Sequence, residues 1–138
     1  AMSADGTYLG FDAGEKRLGV AVGQTVTGRA RALMVIPCRA GIPDWARVDA
    51  LVDEWRPVGL VVGMPRHADG SASASTRLAE RFAGELARRS GLGVYRIDEH
   101  LSSHAAAESL RERGATADVL DAEAARIILE TWFGEQLT

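Results

Sequence analysis

At 138 residues the chain is expected to form one domain spanning 1–138, with a core large enough to dispense with disulfides or a structural metal. Hydrophobic residues at 46% beside 25% charged residues exclude a disordered chain and a membrane-embedded one, and the lone Cys38 excludes a disulfide framework and argues for a reducing cytoplasm. With 16 basic against 19 acidic residues, net −3, no overall positive charge advertises a polyanionic partner.

Residues 1–6 carry no basic segment leading into an apolar one, so no signal peptide is expected, and Ala1 ahead of Met2 reads as a cloning remnant. Thr7 to Asp12 alternates around Tyr8, Leu9 and Phe11. Leu18 to Val22 is apolar again, and the polar Ala13-Gly14-Glu15-Lys16 between them predicts a hairpin. Arg31 to Ile36 adds a third strand, closed by Pro37. From Asp44 the period becomes helical: Trp45, Val48, Leu51, Val52 and Trp55 recur at three and four, and Pro57 ends the run. Leu60-Val61-Val62 is a short continuous apolar run, the pattern of a strand buried on both faces. Residues 73–89 read as a helix with Leu78, Phe82 and Leu86 on one side, and Val94 to Ile97 as the fifth strand. Ser102 or Ser103 starts a helix reaching Arg113, Gly114 ends it, and a last helix covers 118–133, leaving 134–138 as a frayed end beside 1–6. Three strands by hairpin followed by two crossover strands imply an α/β fold, one five-stranded mixed sheet flanked by helices.

Three acids stand where the pattern calls for an apolar residue or a strand end. Asp12 ends the first strand on the side of Tyr8 and Gly10, and Glu99 follows the fifth strand on the side of Tyr95 and Ile97, because strand side chains alternate. Asp121 heads the stripe Ala124, Ala125, Ile128 and Trp132 of the last helix. Singly, each is accounted for as a turn former, a strand-end acid or a helix-terminus acid. Together, three convergent carboxylates would repel one another unless a cation sat among them, and hard oxygen ligands suit Mg²⁺ or Mn²⁺. His100 and His104 are spaced four apart, as in helical metal sites, but lack a third ligand. His67 reads as a surface residue.

Four motifs, running from Gly10-Phe11-Asp12-Ala13-Gly14-Glu15-Lys16-Arg17-Leu18-Gly19 through Val62-Gly63-Met64-Pro65 and Asp98-Glu99-His100-Leu101-Ser102-Ser103 to Leu120-Asp121-Ala122-Glu123-Ala124-Ala125, resemble the YqgF or RuvX family. These are the pre-16S rRNA nucleases, or Holliday-junction-resolvase-like proteins. The resemblance covers about Thr7 to Phe133 in the family's order and implies an RNase H-like fold with the first strand central. Carried over by motif, the family's acidic triad falls on Asp12, Glu99 and Asp121. The family usually has Arg where this chain has His100, and it often has Lys or Arg around the third acid, where residues 116–123 have none.

The resemblance and the acids together lead to an expected metal-dependent endonuclease of ribosomal RNA maturation. Two Mg²⁺ or Mn²⁺ ions held by Asp12, Glu99 and Asp121 would activate water for in-line attack on a phosphodiester. The expected substrate is the 5′ region of pre-16S rRNA, free or in a pre-ribosomal particle. Arg17, Arg66 and the helix start after Ser71, with Arg77, are the candidate holders of substrate phosphate. A junction-resolving DNA nuclease is the alternative within the same chemistry, and a noncatalytic nucleic-acid or ribosome-binding module is the alternative from another class. Asp12-Ala13-Gly14 also resembles the phosphate turn of the sugar kinase, actin and Hsp70 ATPases, but one domain lacks the second half that closes on a nucleotide.

Overall fold

The computed structural model describes residues 5–67, 69–99, 114 and 116–136. In chain order it contains β1 (Thr7–Ala13), β2 (Arg17–Gln24), β3 (Arg29–Arg39), β4 (Ile42–Pro43), α1 (Trp45–Trp55), β5 (Gly59–Met64), α2 (Ala74–Ser90), β6 (Val94–Asp98) and α3 (Ala117–Gln136). The strands form one sheet in the order β4-β3-β2-β1-β5-β6. β1 pairs antiparallel with β2 and parallel with β5. β2–β3 is antiparallel and β5–β6 parallel. The mixed sheet with β1 inside it matches the expected α/β architecture.

The sheet has six strands rather than five. The additional one is the two-residue β4, made where Ala40 and Gly41 adopt φ of 52° and 82° and fold the end of β3 back on itself. β3 also continues through Pro37 to Arg39. Among the described residues its outer edge is covered only by β4, and an edge position tolerates a residue without an N–H. The helix expected between Ser102 or Ser103 and Arg113 lies outside the described residues, as do His100 and His104. The last helix extends to Gln136. Among the described residues no helix is long and apolar enough to cross a membrane.

Strand alternation gives the sheet two unlike faces. On one, Leu9, Phe11, Leu18, Val20, Val22, Leu60, Val62 and Met64 pack against Val48 and Leu51 of α1 and Phe82, Ala83 and Leu86 of α2. Burying each large apolar side chain contributes roughly 1.5–3 kcal/mol. α2 is held by a capping box between Ser73 and Thr76 and ends at Gly91, whose φ of 69° suits a left-handed cap. On the other face, among the described residues, α3 alone covers the sheet, packing Ala125, Ile128, Leu129, Trp132 and Phe133 against Tyr8, Ala21, Val61 and Ile97.

Candidate active site

Two glycines and the pleat of the sheet decide where the acids come together. Asp12 is the residue before last in β1, opposite Gly19 of β2. Its side chain shares the α3 face with Tyr8 and Gly10. A Cβ on Gly19 would lie 2.0 Å from the carbonyl oxygen of Asp121 and 2.5 Å from its carbonyl carbon. The backbone of α3 at Asp121 therefore rests directly on the strand position paired with Asp12, and only glycine permits that approach. Glu99 follows the last residue of β6, anchored by its N–H donating to the Met64 carbonyl at 3.1 Å. A Cβ on Gly63 would lie 2.9 Å from Glu99 Oε1 and 2.5 Å from Ile128 Cδ1, so the missing side chain of Gly63 makes the seat in which the Glu99 carboxyl lies.

The Asp12 carboxyl is held well above the usual carboxylate range, first by burial, then by the negative charge and hydrogen bond of Glu99, and last by Asp121. Burial also pushes Glu99 up, opposed by the hydrogen bond with Asp12. In the hydrogen bond they share, Asp12 takes the donor side and Glu99 the acceptor side. The other Glu99 oxygen, Oε1, is buried with no hydrogen-bond partner among the described residues. Leaving a buried acceptor unpaired costs about 1–3 kcal/mol, more when it is charged, and native proteins retain few such groups.

Asp121 is turned toward Arg17, whose Nε donates to Oδ2 at 2.5 Å and stands 3.8 Å from Asp118 Oδ1. The three acids are therefore neighbours divided into a carboxyl pair and an ion pair, and among the described residues no group of three His, Cys, Asp or Glu stands arranged to hold a metal ion. Both parts still feel each other, since Asp121 contributes to the shift of Asp12.

The remaining sequence candidates lie around this centre. Arg66 donates through Nε to Asp98 Oδ1 at 2.8 Å. Asp98 faces away from Glu99 by strand alternation. Ser71 directs its N–H and hydroxyl to Asp69 Oδ1, at 2.9 and 2.6 Å, and the helix start beyond it is capped by Ser73. His67 is exposed. The Gly14 N–H donates to the Arg17 carbonyl at 3.0 Å, so the hairpin uses the donor that an ATPase-like turn would offer to phosphate. Sequence reasoning passed over Gly19 and Gly63; the signal available was glycine recurring at inward positions of successive strands.

The family model of RuvX, described as Holliday junction resolvase, matches residues 6–135. A Ralstonia pickettii protein named "Putative pre-16S rRNA nuclease" is 51% identical over 135 residues, covering 98% of this chain and 92% of its own. A protein of the same name from Ralstonia nicotianae is 52% identical over 130 residues, covering 94% and 88%. Among solved structures, RuvC of T. thermophilus in complex with a Holliday junction substrate has a TM-score of 0.59 at 23% identity, covering 95% of each chain. That likeness is one of fold, and it agrees with the RNase H-like architecture. The chain belongs to the RuvX family.

Proposed function

We propose that this RuvX-family chain is a nuclease of ribosomal RNA maturation, a cytoplasmic endonuclease that uses Mg²⁺ or Mn²⁺ to hydrolyse a phosphodiester at the 5′ end of pre-16S rRNA. The observation that carries the reading is the pair at the end of β1 and β6: Asp12, its pKa raised by burial and by Glu99, against a Glu99 whose second oxygen is buried with no partner among the described residues. An orphaned buried carboxylate oxygen beside a carboxyl kept neutral by its neighbours is what an oxygen-donor cation site looks like before its cation. The donor set is all hard oxygen, which fits Mg²⁺ or Mn²⁺.

Asp12, Glu99 and Asp121 would hold the ions. Bound there, divalent ions supply positive charge that acidifies water for in-line attack and stabilises the departing oxygen. To hold an ion, Asp12 would have to lose its proton and Asp121 its bond to the Arg17 guanidinium, and Arg17 would then stand beside the centre as a holder of substrate phosphate. Glu99, seated against Gly63 and anchored through Met64, keeps its position throughout. Arg66 is committed to Asp98 on the far side of β6.

A junction-resolving DNA nuclease is the second reading, favoured by the family's description as Holliday junction resolvase. The test incubates the protein with Mn²⁺ and, in parallel, end-labelled pre-16S leader RNA, single-stranded DNA and a four-way DNA junction. Metal-dependent cutting of the RNA is expected, and Asp12→Asn should lower its rate by at least about 10²–10³, the scale of removing one transition-state contact. Junction-only cutting selects the second reading. Binding without cutting by any preparation would leave a nucleic-acid-binding module.

A further inference from the structure

The β5–β6 end of the sheet carries a second feature, on the face opposite the acids. A cleft of about 550 Å³ opens there between the strand ends and α2, lined by Arg66, Arg77, Arg81 and Arg96 together with Glu80 and Asp98. Arg66 is paired with Asp98 at 2.8 Å and Arg96 with Glu80 at 2.6 Å. Arg77 and Arg81, four apart on α2 and so on one side of it, are exposed and have no carboxylate partner among the described residues. Four guanidinium groups thus meet two carboxylates, in a chain whose net charge is −3. Local positive charge in a concave site on an acidic protein concentrates an anion where the overall field does not. The cleft also touches the acid centre, since its floor residue Met64 accepts the N–H of Glu99 at 3.1 Å and its wall residue Asp98 precedes Glu99 in the chain.

From this placement we infer that the cleft holds one nucleotide of the single strand flanking the cut, with Arg77 and Arg81 on its phosphates. The inference rests on the nuclease reading. A strand crossing the end of β6 has its reacting phosphodiester among Asp12, Glu99 and Asp121 on one face and its next units over Asp98 on the other. The volume falls within the range of pockets that enclose single small ligands, roughly 300–1,000 Å³. Arginine suits the occupant twice over, gripping phosphate bidentately and stacking on a base. The paired Arg66 and Arg96 line the cleft as walls, and Glu80 limits the attraction by neutralising Arg96.

The test is fluorescence anisotropy of labelled single-stranded RNA against salt, without added metal, for wild type, Arg77→Ala/Arg81→Ala, Glu80→Gln, and Arg29→Ala/Arg47→Ala as a control that removes the same charge elsewhere. The Arg77/Arg81 double variant is expected to bind roughly tenfold more weakly and to lose about 1.4 from the salt slope, two phosphates at about 0.7 each. Its Mn²⁺-induced rise in melting temperature should stay that of wild type. Glu80→Gln, which frees Arg96, is expected to bind more tightly, and this keeps the inference testable should the double variant fold poorly. Unchanged affinity in both cleft variants, or an equal loss in the control, overturns the cleft while leaving the nuclease reading intact. Absence of RNA and DNA binding by wild type at low salt overturns the nuclease reading, and the cleft with it.

Discussion

The two faces of the central sheet have the same pleat and opposite fillings. Toward α1 and α2 the inward positions of β1, β2 and β5 are Leu9, Phe11, Leu18, Val20, Leu60, Val62 and Met64. Toward α3 the intervening positions include Gly10, Gly19, Ala21, Gly23, Gly59 and Gly63. Large side chains keep α1 and α2 a full layer away from the strands. Glycine instead lets α3 settle until its backbone touches the sheet: a Cβ on Gly10 would lie 2.8 Å from Leu129 Cβ and 3.1 Å from the Ala125 carbonyl oxygen. Close approach gives up apolar burial, and in return a carboxylate carried by a helix, Asp121, stands beside one carried by a strand, Asp12. One face is organised to hold the fold together and the other to place charged groups.

If that division is right, substitutions on the two faces should fail differently. The largest expected effect on stability is on the packed face. Phe11 is fully buried against Phe82, with ring centroids 5.4 Å apart, and Phe11→Ala should cost about 3–5 kcal/mol through lost transfer energy and a residual cavity. Denaturant unfolding measures this, and activity per folded molecule should stay near wild type. Loss of activity in the folded fraction would break the comparison.

Gly19→Ala should cost less, roughly 1–3 kcal/mol, the range for overpacking. The added methyl meets backbone atoms of Asp121, which cannot swing aside as a side chain would. The helix start must lift, taking Asp121 away from Asp12. The expected signature is therefore a modest fall in melting temperature with a disproportionate loss of Mn²⁺ stabilisation and cleavage. A variant that melts lower yet keeps both would show that contact between α3 and the sheet is structural only.

The sequence made the frame of this site visible because periodicity reports which way a side chain points. Alternation in β1 and β6 places Asp12 and Glu99 inward, and helical spacing places Asp121 at the head of an apolar stripe. What alternation lacks is distance. The Arg17–Asp121 bond joins residues 104 apart in sequence, and the consequence of Gly19 depends on which helix covers it. Arg81 and Arg96 look like ordinary exposed charges until α2 is laid beside β6. At Ser71 local competition decided the outcome: Asp69, two residues earlier, captures its N–H and hydroxyl, an Asx-type turn, while Ser73 caps the helix.

The smallest expected effect is the dependence of metal-free stability on pH. Burial and Glu99 hold Asp12 well above its usual range, whereas in the unfolded chain an Asp titrates near about 3.9. Between those two values the native state binds the extra proton, so the associated stability is fully present below the unfolded value and is lost as pH rises through the folded one. Glu99 is shifted in the same direction and adds to the slope. Asp12→Asn keeps a donor facing Glu99 and cannot ionise. In EDTA its unfolding free energy should match wild type at acid pH and exceed it once the wild-type pair is doubly ionised, because two close carboxylates then repel. Acids with lowered pKa, such as Asp69 and Glu85, act on both proteins alike and cancel in the difference. Mn²⁺ should reverse the wild-type slope, because ligands must lose their protons to bind it, and should leave the variant unmoved. A wild-type minus variant difference that is flat from acid to neutral pH would mean that Asp12 is not held protonated by Glu99, and the glycine face would then be a packing solution without a charged site at its end.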